Sequence, residues 1–389
     1  MKSISLLIGA GFSAPAGYPT GDKLNALLLN CKADNFKFTS YGALYISPKP
    51  GNKTSYDVEF DFCMELMQYF KMKNGHFDYE EFYDFFRDEA IKDAGVEKIA
   101  QPYLNSSNVK QLLFSLTKVY VQVVSYYLKD KNNKKWYDDE SYSTNLDLYE
   151  GYTGILKYLH QLSKEYIINI HSLNHDLLFE SFGNTAFMAG EISDGFEEQD
   201  SPYYGDKWLS HGHTYRTRLS RYTGKYDKQF RLYKLHGSRD YGVYYKSEGS
   251  IASSENYFKI KSGIGFDDIY KEVKNTEGVV NYEHCWLNYH ADFLIGKTSK
   301  IERYKEPLLY KNIFENFTAN LEAAEQLIII GYGGRDSEVN KLIIENFDYK
   351  NKPVYIIDPF AGSDVKDLAL QIKAKLIDKQ LEELNAGDF

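Results

Sequence analysis

Asn174, His175 and Asp176 stand together, and His236 is followed at once by Gly237, each group coming after an apolar run. An imidazole with an ordinary pKa of about 6.5 exchanges protons readily near neutral pH, so His236 suits general-base work on a hydroxyl or a water. The Asn174 amide offers donors and an acceptor without charge, which suits it to orienting hydroxyls and a water. By itself it also reads as an ordinary helix N-cap. Asp176 either stabilises positive charge nearby or is a first-turn helix carboxylate favoured by the dipole.

Apolar strands must carry these groups. Tyr166 to His171 and Phe230 to Leu235 are runs of the buried-strand type, ending just before Asn174 and His236. A third run, Ile4 to Ile8, enters the turn Gly9-Ala10-Gly11-Phe12-Ser13, with a helix predicted from about Gly21 and Asp22 to Asn30. Paired glycines let backbone approach an anion closely, and a helix start offers amides to it, so a dinucleotide is the natural guest of this turn. The fourth run, Gln326 to Ile330, enters Gly331-Tyr332-Gly333-Gly334-Arg335-Asp336. A fifth, Pro353 to Ile357, ends in Asp358, placed to accept hydrogen bonds from a ribose or simply to start a loop. In the second glycine turn, Arg335 and Asp336 are candidates to cap the next helix on each other.

Strands followed by helices, with polar motifs at their carboxyl ends, predict an α/β fold with a Rossmann-like doubly wound parallel sheet, residues 1–30 and 151–389 forming the nucleotide-binding domain. Residues 31–150 interrupt it. After an irregular stretch, apolar residues recur at helical spacing at Phe60, Met64, Met67 and Phe70, at Phe82, Phe85 and Phe86, and from Val109 to Tyr127, predicting a large helical insertion. Lys129 to Lys135 reads as an exposed loop closing it, and residues 186–229 and 247–285 show no clear period and read as loops.

Composition narrows the classes further. The 389 residues carry a net charge of −9, which argues against a chain whose main task is gripping nucleic acid. A local basic stretch, Arg216, Arg218, Arg221, Lys225, Lys228, Arg231 and Lys234, leaves room for contact with nucleic acid, an anionic ligand or an acidic partner. The 35 Tyr and 24 Phe favour large packed surfaces, and the run from Phe77 to Phe86 reads as core or as an interface between copies. Cys31, Cys63 and Cys285 form no Cys-x-x-Cys pair, and His211, His213, His284, Cys285 and His290 match no common metal spacing, so no metal and no structural zinc are expected. No run nears about 18 apolar residues and no secretory leader precedes the first strand, so a cytoplasmic protein is expected.

Taken in order, Gly9-Ala10-Gly11-Phe12-Ser13, Asn174-His175-Asp176, His236-Gly237 and Gly331-Tyr332-Gly333, then Asp358, the pattern resembles the sirtuin family. There, corresponding pieces line one NAD-binding cleft. Two departures matter: Gly17-Tyr18-Pro19-Thr20-Gly21-Asp22 lacks the Phe-Arg continuation of the deacylases, and the four-cysteine zinc module is missing. The chain is thus more similar to the sirtuin-like NAD hydrolases of bacterial antiphage defence. That resemblance implies an NAD+ glycohydrolase that depletes NAD as substrate, with Asn174, His236 and Asp176 as catalytic residues. It implies NAD+ contacts from Gly9, Ala10, Gly11, Phe12, Ser13, Asp22, Gly331, Tyr332, Gly333 and Asp358. It further implies a homo-oligomer working with a partner sensor such as a HerA-type hexameric ATPase or a short Argonaute-type protein. The alternatives are an NAD-dependent deacylase or ADP-ribosyltransferase, and a non-catalytic subunit that senses NAD or ADP-ribose.

Overall fold

Seven parallel strands form the central sheet: β1 (Lys2–Ile8), β2 (Tyr166–Ser172), β3 (Ile192–Ser193), β4 (Phe230–Lys234), β5 (Ala324–Ile330), β6 (Val354–Ile357) and β7 (Lys375–Ile377). They lie in the order β7-β6-β5-β1-β2-β4-β3, every pair parallel. The computed structural model describes residues 2–32, 35–40, 42–45, 53–104, 108–128, 151–208, 213–248, 251–261, 264–284 and 290–389.

Parallel strands joined by helical crossovers are covered on both faces, and their side chains alternate between two cores. Leu7 of β1 and Leu327 and Ile329 of β5 face one core, shared with helices α5 (Tyr310–Ala323), α6 (Ser337–Asn346) and α7 (Ser363–Gln371). Ile4, Leu6 and Ile8 of β1 and Ile328 and Ile330 of β5 face the other, shared with α4 (Thr153–Leu162) and with Leu381 and Leu384 near the carboxyl end of the chain. The fold is therefore α/β and doubly wound. Each fully buried leucine or isoleucine contributes roughly 1.5–3 kcal/mol, which is why β1, buried on both faces from Ser3 to Ile8, belongs at the centre.

Helix α1 (Gly21–Leu29) follows the glycine turn, but Ala10–Ser13 already forms a helical turn of its own directly after β1. Beyond α1, the helices α2 (Ser55–Asn74) and α3 (Val109–Tyr127), with shorter ones at Tyr79–Asp84 and Ala94–Ala100, pack around an aromatic core. Phe82 lies against Phe70, Phe77, Phe86 and Tyr120, so this run is core among the described residues. The same core takes in Leu24 and Leu28 of α1 and Ala291, Phe293 and Ile295, which ties these helices to the sheet. The loop expected at Lys129 to Lys135 lies outside the described residues.

The segments expected to be loops are strands. Gly195–Glu197, Ser220–Lys225, Tyr241–Glu248 and Ile251–Lys259 make one antiparallel sheet, and Tyr203–Trp208, Thr214–Arg218, Ile264–Lys274 and Val280–His284 make another. Val280–His284 is exposed along its whole length, so the chain has no reason to alternate apolar and polar residues there. The two ribbons share a small apolar core of Tyr203, Leu219, Phe258, Ile260, Ile264 and Ile269, and ion pairs cross between their strands. Arg216 binds Asp206 through two bonds of 2.7 Å and stacks over Tyr270 and Tyr282, while Lys225 meets Glu197 at 2.7 Å. Arg216 and Lys225 of the basic stretch are thus paired, and Lys234 is buried with the Asp176 carbonyl and Glu180 as partners.

Candidate functional site

The sheet order reverses between β1 and β5: the chain steps outward from β1 through β2 and β4, then returns to β5 on the other side. In such sheets the crevice for a ligand opens beyond the carboxyl ends of the strands at that reversal. The loops 9–13, 173–178, 235–240, 331–336 and 358–362 all leave carboxyl ends of sheet strands.

The two glycine turns are locked onto each other. Gly331 has φ +59°, and a Cβ there would lie 2.2 Å from the Phe12 nitrogen and 2.4 Å from the Gly11 carbonyl carbon. The Gly9 and Gly11 amides donate to the Ile330 and Gly331 carbonyls at 3.0 and 2.9 Å, and the Phe12 amide donates to the Gly9 carbonyl at 2.9 Å. The glycines at 9, 11 and 331 are therefore required by backbone packing in the protein itself, and those three amides are already committed. Gly333, by contrast, faces open space.

Asn174 sits over this junction. Its buried amide donates to the Gly9 carbonyl at 2.9 Å and to Ser13 Oγ at 3.0 Å, so its side-chain oxygen is what it has left to offer a ligand. Ser13 is buried beneath it. The Phe12 side chain points into the core among Tyr152, Phe179 and Phe182, leaving its backbone as the part nearest the turn. Asp176 accepts from the Leu178 amide at 3.0 Å, the bond of a carboxylate that starts the helical turn Leu178–Ser181.

His236 joins this group through the chain: the Arg239 amide donates to the His175 carbonyl at 3.0 Å, and the His175 and His236 rings are 6.2 Å apart. The left-handed turn that follows β4 demands Gly237, whose φ is +78° and whose Cβ would meet Phe293 backbone at 2.8 Å. His236 Nε2 lies 3.4 Å from Asp336 Oδ2 and 3.4 Å from the Tyr304 hydroxyl. Asp336 caps α6 through its other oxygen, accepting from the Val339 amide at 3.1 Å, and pairs with buried Lys300 at 2.9 Å. Burial first, then the Lys300 charge, pulls His236 below its ordinary pKa against the opposing pull of Asp336, so the ring is neutral at pH 7. Burial opposes the charge of Asp336, but His236 and Lys300 outweigh it and hold this carboxyl far below the usual range.

The remaining expected residues lie apart from this pair. Tyr332 is buried, its hydroxyl accepting from the Asp336 amide and turning its one proton to Asn340 Oδ1 at 2.8 Å or the Asp336 carbonyl at 3.0 Å, so it braces the turn. Asp22 is exposed on α1 with Arg335 4.0 Å away, and Arg335 reaches Asp364 at 3.5 Å, so Arg335 and Asp336 do not cap on each other. Asp358 accepts from the Phe360 amide at 2.8 Å, the loop-starting role. Asp336, Lys300 and Tyr304 were not singled out as chemistry from the sequence; only the aspartate carried a signal, three residues before Val339 at a helix start. Among the described residues no three or more His, Cys, Asp or Glu are grouped to hold a metal ion, and no helix is long and apolar enough to cross a membrane.

No protein-family model matches the chain, and no curated protein matches it. Several solved structures are similar to it. A Sir2 homologue in complex with NAD is 12% identical, with a TM-score of 0.36 over 98% of this chain and 86% of that one. A Sir2 homologue mutant with 2′-O-acetyl ADP-ribose is 11% identical, with 0.36 over 98% and 88%, and a structure described for the mechanism and regulation of Sir2 enzymes is 10% identical, with 0.35 over 98% and 89%. Likenesses this distant carry no argument about chemistry. The fold rests on the sheet and the site on its own geometry.

Proposed function

We propose that this chain is an NAD+ glycohydrolase. The observation that supports it is the buried His236 3.4 Å from Asp336, on the loop bonded to the one that carries Asn174, at the end of the sheet where two glycine turns meet and the strand order reverses. In this reading the bond from ribose C1′ to the nicotinamide nitrogen breaks, its electron pair leaves with nicotinamide, and an oxocarbenium-like sugar remains. Water attacks that carbon. His236 takes the proton the water loses, and the Asp336 carboxylate stabilises the imidazolium that results. The free oxygen of the Asn174 side chain orients the water or a ribose hydroxyl, and its amide holds the glycine turn in register. Asp176 is left to hold its loop.

Purified protein incubated with NAD+ and followed for nicotinamide and ADP-ribose tests this. His236→Ala is expected to lower release about 10²–10⁴-fold, the usual worth of a positioned base, and Asn174→Ala to lower it as well. Release undiminished in both variants refutes the assignment. Label appearing on protein, or turnover only with an acylated peptide, would point to transfer or deacylation instead. The proposal extends to a cytoplasmic antiphage role as a homo-oligomer with a sensor such as a HerA-type ATPase or a short Argonaute-type protein, supported by the order of the sequence motifs. Release assayed with and without the products of neighbouring genes tests that part.

A further inference from the structure

Lys300 is a lysine buried inside the protein, and a buried ammonium persists only where partners surround it. Its partners come from two sides. Asp336, the N-cap of α6, lies 2.9 Å away, and Glu80, on the helix Tyr79–Asp84 beyond α2, lies 3.4 Å away. That same helix grips the segment carrying Lys300. The Asp84 carboxylate accepts from the Lys297 and Thr298 amides at 2.8 Å each, from the Thr298 hydroxyl at 3.0 Å, and from the Ser299 amide and hydroxyl at 3.3 and 2.6 Å. Glu81 adds an ion pair to Lys297 at 2.6 Å. Glu80 and Asp84 are four residues apart, on one face of the helix, so seating that face places Lys300.

We propose that Lys300 is a positioning residue for His236: held by Glu80 and the Asp84 clamp, it shares Asp336 with the imidazole and so sets the charge state of His236 from the helical segment beyond α2. The groups facing His236 are Asp336 from α6, Lys300 and Tyr304 from the segment 299–304, and His175 from the loop after β2, with Glu80 behind Lys300. Lys300 opposes protonation of the ring, Asp336 favours it, and Glu80 moderates Lys300. Burial of Glu80, resisted by Lys300, pushes that carboxyl up to about 7, so Glu80 itself titrates near neutrality. The consequence for catalysis rests on His236 being the proton acceptor; the titration itself does not.

The test is a titration of the full chain with ¹³C-labelled histidine, followed by NMR, the His236 signal being the one lost in His236→Gln. Lys300→Met is expected to raise the His236 midpoint by roughly one unit or more, because Asp336 then acts on it alone. Glu80→Gln is expected to lower it, but by less than Lys300→Met raises it, because a carboxyl held up to about 7 is already largely protonated where His236 titrates and gives Lys300 only part of a counter-charge, and Lys300→Arg to return it toward wild type. Asp84→Asn, which loosens the clamp without removing a charge from Lys300 itself, is expected to move it in the direction of Lys300→Met by less. Opposite signs for Lys300→Met and Glu80→Gln are what general structural damage would not produce. Should Lys300→Met fail to fold, Glu80→Gln and Asp84→Asn decide the matter by the signs of their shifts. An unmoved midpoint in every folded variant overturns the proposal, even with nicotinamide release intact. Shifts as expected with no nicotinamide release in wild type uphold it and refute the NAD+ reading instead.

Discussion

Replacing Gly331 with alanine attacks the junction on which the whole site is built. At φ +59° an L-residue pays roughly 1–2 kcal/mol for the left-handed conformation. The new methyl would also overlap the Phe12 nitrogen at 2.2 Å and the Gly11 carbonyl carbon at 2.4 Å. Both are backbone atoms, which cannot turn away as a flexible side chain can, so the turns must separate, at a cost typical of overpacking, about 1–3 kcal/mol. Together this is on the order of 2–5 kcal/mol, a large part of the about 5–15 kcal/mol that holds a typical domain folded. Gly333→Ala is the matched control: it lies two residues away, carries no positive φ, and its Cβ meets nothing within 4 Å. Urea unfolding followed by far-ultraviolet circular dichroism should show a much lower midpoint for Gly331→Ala and a shift within about 0.5 kcal/mol for Gly333→Ala. Equal midpoints for the two variants would refute the claim that the glycines serve backbone packing.

Asp176→Asn keeps an oxygen to accept from the Leu178 amide, so nicotinamide release should stay within a few-fold of wild type, whereas Asp336→Asn should lower it by about 10² or more and shift the His236 midpoint downward. The reverse ranking in a steady-state assay would restore Asp176 as the working carboxylate. His171, stacked on Tyr233 and packed against Phe317, is driven by burial to a pKa of about 3. Its folded value lies below its ordinary 6.5, so its contribution is whole above that pH and drains as pH falls toward 3. The loss amounts to about 2 kcal/mol at pH 5 relative to pH 7. His171→Phe should flatten that limb of the stability profile, and an unchanged slope in urea titrations at pH 7 and 5 would refute the assignment.

The central sheet was legible because β1, β2, β4, β5 and β6 are largely buried and dominated by isoleucine, leucine, valine and aromatic residues, a signal that local reading detects. The outer strands β3 and β7 were not. Ile192–Ser193 has two residues and Lys375–Ile377 three, and only Ile377 of the latter is buried, too little for any period to register. The antiparallel ribbons were missed for another reason. Their charged residues pair across the chain, Arg216 with Asp206 on the neighbouring strand and Lys271 with Glu255 on the other sheet, partners that stand 10 and 16 residues apart. Such pairing leaves charged residues on both faces and erases the alternation by which a half-buried strand is recognised.

At the site, sequence proximity set the choice of carboxylate. Asp176 is two residues from Asn174 and so was grouped with it, yet its oxygen is spent on its own loop, while the acid that reaches His236 arrives 100 positions later as the N-cap of α6. An N-cap aspartate must expose one oxygen to the helix amides, which leaves the second free to turn outward. In Asp336 that second oxygen meets both His236 and Lys300. The capping reading and the chemical reading therefore describe two atoms of one residue. This is why an expectation of capping, which paired Asp336 with Arg335, left unnoticed the oxygen that lies 3.4 Å from His236.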